Sequence, residues 1–337
     1  MIEQFRVAQK IGLMFRHHEP LPKDIKAWAI KQLQTPSPSL GIGNIGSDIK
    51  PWPKSLQPSL DEKAVRLRIH WETVKRERKK EGGYTEDARR ANDRDNFTYK
   101  NDILKFSHRN VYGSDQLRLR LMSFWTNHFT IGSFDSREMI GHAMEEAILA
   151  NFNDSFSTML YKVTTHPGML TYLDNHISAG PNSQEVRWAK AKGRQAGLND
   201  NLGRELLELH TVSPSANYTE TDIRNTALVL AGWGNSIQNY TLNKRIEQGG
   251  KTNNWVYYNQ YWSEPGNKTV LGKTIYAGQE GLRQLTDFLA SHEHTGMHLS
   301  TKLAEHFVSD VPKKSDVDYI ANAWRQSNGN LDQVHTA

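Results

Sequence analysis

The stretch that decides the fold class is Asn201-Leu202-Gly203-Arg204-Glu205-Leu206-Leu207-Glu208-Leu209-His210-Thr211. Leu202, Leu206 and Leu209 recur at helical spacing and form one apolar stripe. A second stripe carries the polar side chains Asn201, Arg204, Glu205 and Glu208. A segment divided in this way packs its leucines into a core as an amphipathic helix. The sequence therefore predicts a helix over about 200–211, capped by Asn199 or Asp200.

Helical patterns continue on both sides of this stretch. Downstream, Thr219-Glu220-Thr221-Asp222 has the sequence of a capping box, and the helix that it opens is expected to end at Gly232. Upstream, Ser114 is the expected N-cap of a helix, and a second helix is expected over about 136–162. Side chains at helical spacing form the inner face of the Ser114 helix: Leu117, Leu121, Phe124, Trp125 and His128.

The remaining chain divides into segments around one expected core. We predict N-terminal helices over 1–34, a Pro/Gly-rich loop over 35–61, a charged helical insertion over 62–100 and a main helical domain over 101–337. A small β-hairpin is expected near 252–275, with its two β-type runs on either side of a Pro-Gly turn. The predicted fold is mainly α, a multi-helix globular bundle with a small β-hairpin insertion.

Composition and charge exclude several classes of protein. The 337 residues include 9 Trp, 12 Tyr and 11 Phe, which is enough bulk for a core. The net charge of +5 comes from interspersed charges of both signs, so there is no strong signal for nucleic-acid binding. The absence of cysteine excludes disulfide scaffolds, thiolate zinc sites and cysteine nucleophiles. No run of 18 apolar residues is present, so no membrane span is expected.

Two common functional motifs are missing or misplaced. No Gly-x-Ser-x-Gly nucleophile motif occurs. Gly41-x-Gly43-x-x-Gly46 matches a dinucleotide fingerprint by letter only, because it follows a Pro-rich segment and not a strand. The N-terminus lacks the pattern of a signal peptide, so either the protein stays in the cytoplasm or a signal was removed, and the localisation stays open.

The polar stripe of the 201–211 stretch is the first candidate site. Arg204 and Glu208 are four residues apart and Glu205 lies beside them, so two carboxylates are presented one turn apart next to a cation. Paired carboxylates of this kind supply metal ligands or an acid/base pair in helical bundles. His210 lies about 140° around the helix from Glu205 and joins them only if the helix end is frayed. His128, on the inner face of its own helix, is the expected contributor from elsewhere.

Two interpretations of these five residues stay open. In the first they form a catalytic centre, in which His128, Glu205 and Glu208 bind a divalent metal or share a proton near neutral pH. In the second a buried His–Glu–Arg network only holds two helices together. The cofactor is unknown, and a divalent metal is the one that these residue types suit.

Two further groups of histidines are weighed against this site. His294 and His298 are four residues apart, a spacing that can bind a divalent metal, but no glutamate stands between them as in the zinc-protease motif. His166 precedes Pro167 at an expected helix start, where an imidazole typically satisfies backbone groups. We expect His166 to be structural.

Several short runs, in a fixed order, carry a resemblance to a known family. They are Phe124-Trp125-Thr126-Asn127-His128-Phe129, His166-Pro167-Gly168-Met169-Leu170, the 201–211 stretch, Leu230-Ala231-Gly232-Trp233 and Lys268-Thr269-Val270-Leu271-Gly272. Together they resemble the bacterial family called domain of unknown function 1800. The resemblance implies no particular reaction. Its members usually carry a His-Asp pair where this chain has Ser263-Glu264, they continue through further helices, and they are often exported.

Two classes of function are compatible with these observations. One is an enzyme with a carboxylate/histidine centre, with or without a bound metal, that performs a hydrolysis or an oxidation. The other is a non-enzymatic binding or scaffold protein, whose partner is unknown and is contacted through the charged 62–95 segment and the aromatic 254–262 segment. The sequence alone leaves both open.

Overall fold

The computed structural model describes residues 2–13, 22–34, 39–43, 45, 48–77, 86–132, 136–236 and 255–337. Within them lie fifteen α-helices, numbered in chain order as α1 (Ile2–Ile11), α2 (Ile25–Gln34), α3 (Leu60–Glu77), α4 (Glu86–Tyr112), α5 (Gln116–His128), α6 (Arg137–Ala143), α7 (Phe156–Thr164), α8 (Pro167–Tyr172), α9 (Gln184–Ala191), α10 (Asn201–Glu208), α11 (Glu220–Leu230), α12 (Glu280–Ser291), α13 (Glu293–Phe307), α14 (Lys314–Ser327) and α15 (Leu331–Thr336). Among the described helices none has both the length and the apolar character that crossing a membrane requires. The prediction of a mainly α fold is confirmed.

Four short strands accompany the helices, and they pair differently from the expected hairpin. β1 (Trp233–Asn235) pairs antiparallel with β2 (Val256–Tyr258), and β3 (Lys268–Val270) pairs antiparallel with β4 (Lys273–Ile275). Small β-hairpin elements are therefore confirmed, but the expected partnership of the two runs around the Pro-Gly turn is wrong. The β1 segment follows directly after α11 and provides the partner that sequence periodicity did not reveal.

The core is built around the inner face of α5. Trp125 is fully buried and packs against the rings of Phe124, Phe129 and Phe156. One continuous apolar cluster extends from Leu33 in α2 to the C-terminal helix α15. Burying large apolar side chains from so many elements in one cluster is what stabilises a bundle of short helices.

The stretch that predicted the fold forms a helix shorter than expected. α10 ends at Glu208, and Leu202 and Leu206 are fully buried as predicted. Leu209, expected in the same stripe, is 50% exposed because it lies just beyond the helix end. The capping box of α11 is confirmed, since Thr219 and Asp222 exchange both of its hydrogen bonds.

Two expected helix boundaries are wrong. α5 begins at Gln116, after Asp115, so Ser114 is not its N-cap. The helix expected over about 136–162 is interrupted: α6 passes into a π-helical turn at Met144–Ile148 and a 3-10 turn at Leu149–Asn151, and α7 starts anew at Phe156. Propensity does not indicate a π-turn, because its wider ring of hydrogen bonds depends on packing from outside the segment.

The charged segment after the Pro/Gly-rich loop is anchored to the body. α3 packs against α4 and α6, and its inner face is buried. There Lys63 pairs with the buried carboxylate of Asp102 in α4 and donates to the backbone carbonyl of Glu138 at 3.2 Å. Residues 78–85 of the predicted insertion lie outside the described residues.

Candidate metal centre

Three side chains that can ligate a metal meet where α6 enters its π-turn and α8 begins. Nδ1 of His142 lies 2.9 Å from Nε2 of His166 and 3.4 Å from Oε2 of Glu146. Nε2 of His166 lies 3.8 Å from the same carboxylate oxygen. In the part of the chain that the structure describes, this is the one group of three or more His or acidic residues whose ligand atoms all lie within 4.8 Å of one another.

Local structure explains why these side chains converge. His142 and Glu146 are four residues apart, so they occupy one face of the helix at its passage into the π-turn, a feature often found at functional sites. His166 is the N-cap of α8, and its Nδ1 accepts the backbone N–H of Gly168 at 3.1 Å. Pro167 follows at the first helical position, where its missing N–H costs nothing. The cap therefore fixes the imidazole with Nε2 directed at His142.

Burial keeps both histidines neutral. Burial lowers the pKa of His142 to about 4, with smaller contributions from Lys63 and Lys105. The pKa of His166 lies well below its ordinary value, again mainly because of burial. A metal binds neutral imidazole, so at pH 7 neither ring has to lose a charge first.

The lysines near the cluster are compensated by other carboxylates. Lys63 pairs with Asp102, and Lys105 pairs with Glu145 at 2.7 Å. The carboxylate of Glu146 is half exposed, and within the described residues it has no Lys or Arg partner. A bound cation would therefore find one carboxylate whose charge is not already neutralised.

The separations of the three ligand atoms fit a single ion. An ion held at about 2.0–2.1 Å by each ligand separates neighbouring ligand atoms by about 2.9 Å at right angles and about 3.4 Å at the tetrahedral angle. The observed separations of 2.9, 3.4 and 3.8 Å fall around these values. One ion placed between the three atoms could therefore contact all of them after small movements of the side chains.

A proton occupies the shortest of these contacts when no metal is bound. Because Nδ1 of His166 accepts from Gly168, the neutral ring carries its proton on Nε2 and donates it to Nδ1 of His142. A metal on Nε2 would require this proton to lie on Nδ1 and would leave the buried N–H of Gly168 without its acceptor, at a cost of about 1–3 kcal/mol. That cost is small beside the roughly 10 kcal/mol of zinc binding in small peptide sites.

A cavity of about 190 Å³ adjoins the cluster, and Glu146 and His166 form part of its wall. The other walls come from α7, from the β1–β2 pair and from Leu60 at the start of α3. A small molecule in this cavity would lie beside the carboxylate and imidazole of the cluster. The arrangement combines a histidine/carboxylate group with a place for a ligand.

A sequence model of the family described as "Protein of unknown function (DUF1800)" matches residues 17–337, which is nearly the whole chain. The chain belongs to this family. Comparison with curated proteins and with solved structures gave no match. All three members of the His142–Glu146–His166 cluster lie inside the matched region of this DUF1800 chain. The family description assigns no reaction, so the chemistry has to be argued from the geometry.

The structure does not bring His128 to the carboxylates of α10. His128 is buried, its Nε2 donates to the backbone carbonyl of His210 at 3.2 Å, and its Nδ1 accepts from Nζ of Lys302 at 3.0 Å. The expected partners of His128 were Glu205 and Glu208. Its observed partners are the backbone carbonyl of His210 and the ammonium group of Lys302. The three groups connect the end of α5 to the segment after α10 and to α13.

The polar stripe of α10 faces outward in this DUF1800 chain. Arg204 makes a two-pronged ion pair with Glu220 of α11, at 3.1 and 2.9 Å, and does not pair with Glu208. Glu208 contacts the hydroxyl of Tyr218. The pKa of Glu205 is raised, first by burial and then by the neighbouring Glu208. The predicted stripe exists, but Arg204 pairs with α11 and Glu208 with Tyr218 just before it, and none of the stripe contacts His128.

The other predicted histidines lie in two places: His210 and His298 near His128, and His294 beside Ser215. His210 lies beyond the end of α10, where it is buried with Nδ1 unpartnered, and burial followed by the charge of Lys302 lowers its pKa to about 4. His298 packs near His128 with Nε2 unpartnered. His294 contacts the hydroxyl of Ser215 at 2.9 Å, so His294 and His298 face different neighbours.

Sequence reasoning missed two members of the observed cluster. His142 and Glu146 have the i,i+4 spacing within the helix expected over 136–162, and this spacing was the available signal. The expectation that His166 caps a helix start is confirmed by its bond to Gly168. The same ring also directs its free nitrogen at His142, which depends on how α6 and α8 pack.

Proposed function

We propose that this protein binds a divalent zinc-like ion through His142, Glu146 and His166 and acts as a metal-dependent hydrolase. Two imidazoles and one carboxylate form a ligand set typical of catalytic zinc, in which water completes the tetrahedron. Zinc lowers the pKa of that water to about 7 and so supplies hydroxide at neutral pH. The single observation that carries the proposal is the convergence of these three ligand atoms beside a cavity.

The same three ligands also suit an oxidation. Two histidines and a carboxylate hold iron in oxygenases as well as zinc in hydrolases. We place hydrolysis first because it needs only the ion, a water molecule and a substrate, whereas an oxidation also needs an oxidant.

The residues divide the work between binding and positioning. His142 and His166 hold the ion from the buried side, and Glu146 contributes negative charge from the exposed side. Pairing with Asp102 offsets part of the positive charge of Lys63, although that charge still lowers the pKa of His142 and of His166. A substrate would enter from the adjoining cavity, because Glu146 and His166 both border it.

Zinc titration of metal-free protein tests the proposal directly. We expect one equivalent to bind per chain, and His142→Ala to weaken binding by more than about 100-fold, because loss of a ligand exceeds the effect of losing an outer-shell contact. His294→Ala is the matched control, since it removes a partly exposed imidazole elsewhere on the surface. Stoichiometric binding that survives His142→Ala, or that is lost in His294→Ala, would overturn the assignment.

A further inference from the structure

Five aromatic side chains surround the cavity beside the metal cluster. They are Tyr161 of α7, Trp233 of β1, Trp255 just before β2, and Tyr257 and Tyr258 of β2, and together with Glu146 and His166 they define the aromatic cleft. Aromatic walls offer flat apolar faces, and tyrosine adds a hydroxyl at the edge. The composition of the cleft therefore indicates a ligand with both an apolar face and polar edges.

The aromatic walls are held in fixed positions. Trp233 and Tyr258 are cross-strand partners in the β1–β2 pair, with ring centroids 5.5 Å apart. Tyr161 meets Trp233 edge-on at 6.1 Å. The indole of Trp255 donates to the carboxylate of Asp61 at 2.7 Å, which ties the cleft to α3. Because these side chains are already ordered, they lose little conformational entropy when a ring binds.

Tyr257 depends on a glycine for its position. Its ring lies across Gly234, and a Cβ at residue 234 would approach the Tyr257 hydroxyl to 2.9 Å and the ring to 3.0 Å. Only glycine at 234 lets the phenol ring lie this close to β1. The pair provides a way to displace Tyr257 without altering its chemistry.

The cleft offers hydroxyl groups beside one carboxylate, Glu146, and one ammonium group, Lys162. Burial raises the pKa of Tyr161 and Tyr257, so both phenols stay protonated at neutral pH. A phenol both donates and accepts a hydrogen bond, as does the hydroxyl of a sugar, and a carboxylate accepts from such a hydroxyl. Hydroxyl groups on a ligand would therefore find partners here.

The cleft is small and partly open to solvent. Its volume of about 190 Å³ is below the roughly 300 Å³ at which sites for drug-sized ligands begin. A single hydroxylated six-membered ring suits a space of this size.

We propose that the aromatic cleft binds a neutral sugar ring, whose C–H face stacks on the aromatic walls while its hydroxyls pair with tyrosine hydroxyls and with the carboxylate of Glu146. A purely aromatic ligand would leave these polar groups unpaired in a desolvated site, which costs binding free energy. A quaternary ammonium ion suits aromatic faces but has no hydrogen bond to offer the tyrosine hydroxyls. As the substrate class of the hydrolase, the inference rests on the proposed function; as a binding site, it stands alone.

Saturation-transfer NMR with the full chain tests the inference, because it detects weak binding. The probes are the methyl glycosides of glucose, galactose, mannose and N-acetylglucosamine, with benzoate and tetramethylammonium as competitors of different chemistry. We expect at least one glycoside to bind. Tyr257→Phe should weaken its affinity by about three- to tenfold through loss of one hydrogen bond, and Gly234→Ala should weaken it by moving the ring. Tyr319→Phe, on the exposed face of α14, is the control and should change nothing.

The outcomes separate this inference from the metal proposal. Binding of benzoate or tetramethylammonium without any glycoside, or no binding at all, would overturn the sugar assignment. Glycoside binding that is insensitive to both Tyr257→Phe and Gly234→Ala would overturn the cleft as its location. In His142→Ala protein we expect glycoside binding to persist while zinc binding is lost. Zinc binding without glycoside binding would therefore refute only the sugar, and the reverse would refute only the metal.

Discussion

Gly141→Ala should destabilise the protein through the buried ion pair next to the metal cluster. Gly141 lies in α6 against Asp102 of α4, and a Cβ at residue 141 would lie 2.7 Å from the Cβ of Asp102 and still closer to its carboxylate. That approach is roughly 1 Å shorter than van der Waals contact, so the side chain of Asp102 has to move. This movement takes its carboxylate away from Lys63. The substitution therefore separates a buried pair.

The magnitude follows from two opposed effects. Breaking a buried ion pair costs about 3–5 kcal/mol, because the remaining lysine is left buried without its counter-charge. Replacing glycine by alanine inside a helix returns about 1 kcal/mol. We expect a net loss of about 2–4 kcal/mol in the free energy of unfolding.

Urea denaturation followed by circular dichroism measures this loss. Gly197→Ala is the control, because a Cβ there meets nothing within 4 Å and the backbone is not left-handed. The control should stay within about 0.5 kcal/mol of the parent protein. A Gly141→Ala protein as stable as this control would show that Asp102 and Lys63 do not form the pair described.

Further predictions concern the core and the buried histidines. Leu206→Ala should cost about 2–5 kcal/mol because it opens a cavity at a fully buried position, whereas Leu209→Ala, half exposed beyond the helix end, should cost less than about 1 kcal/mol in the same urea experiment. The pKa of His142 and of His210 is lowered to about 4, and that of His335 to about 3. A folded pKa below the unfolded one means that the unfolded chain takes up protons first, so stability is complete above about pH 6.5 and falls toward pH 4, by about 2 kcal/mol per histidine at pH 5. Urea midpoints that are equal at pH 7 and pH 5 would contradict burial of these rings.

The parts of the fold that sequence reasoning predicted are those that local rules control. The capping box of Thr219 and Asp222 and the buried leucines of α10 depend on residues within one or two turns, and both were predicted. The strand partner of Val256–Tyr258 was not, because β1 is three residues long and leaves almost no periodic signal. Short strands take their register from packing.

The candidate site likewise combines one feature that local sequence predicts with others that depend on packing. The helix-start role of His166 was predicted from the proline that follows it, since capping is local. Its contact with His142, 24 residues earlier, depends on the π-turn after α6 and on the packing of α6 against α8. Glu205 and Glu208 were favoured because they share a helix face, but Glu208 contacts Tyr218 and not His128, which sequence spacing cannot indicate.

X-ray absorption spectroscopy of the zinc-loaded chain tests the central claim most directly. We expect zinc bound by two imidazole nitrogens and by oxygen from a carboxylate and water, at about 2.0–2.1 Å. The imidazole signal should fall by at least half in His142→Ala protein and stay unchanged in His294→Ala protein. Three imidazoles, as His128, His210 and His298 would supply, or a shell of oxygen alone, would contradict a metal centre at His142, Glu146 and His166.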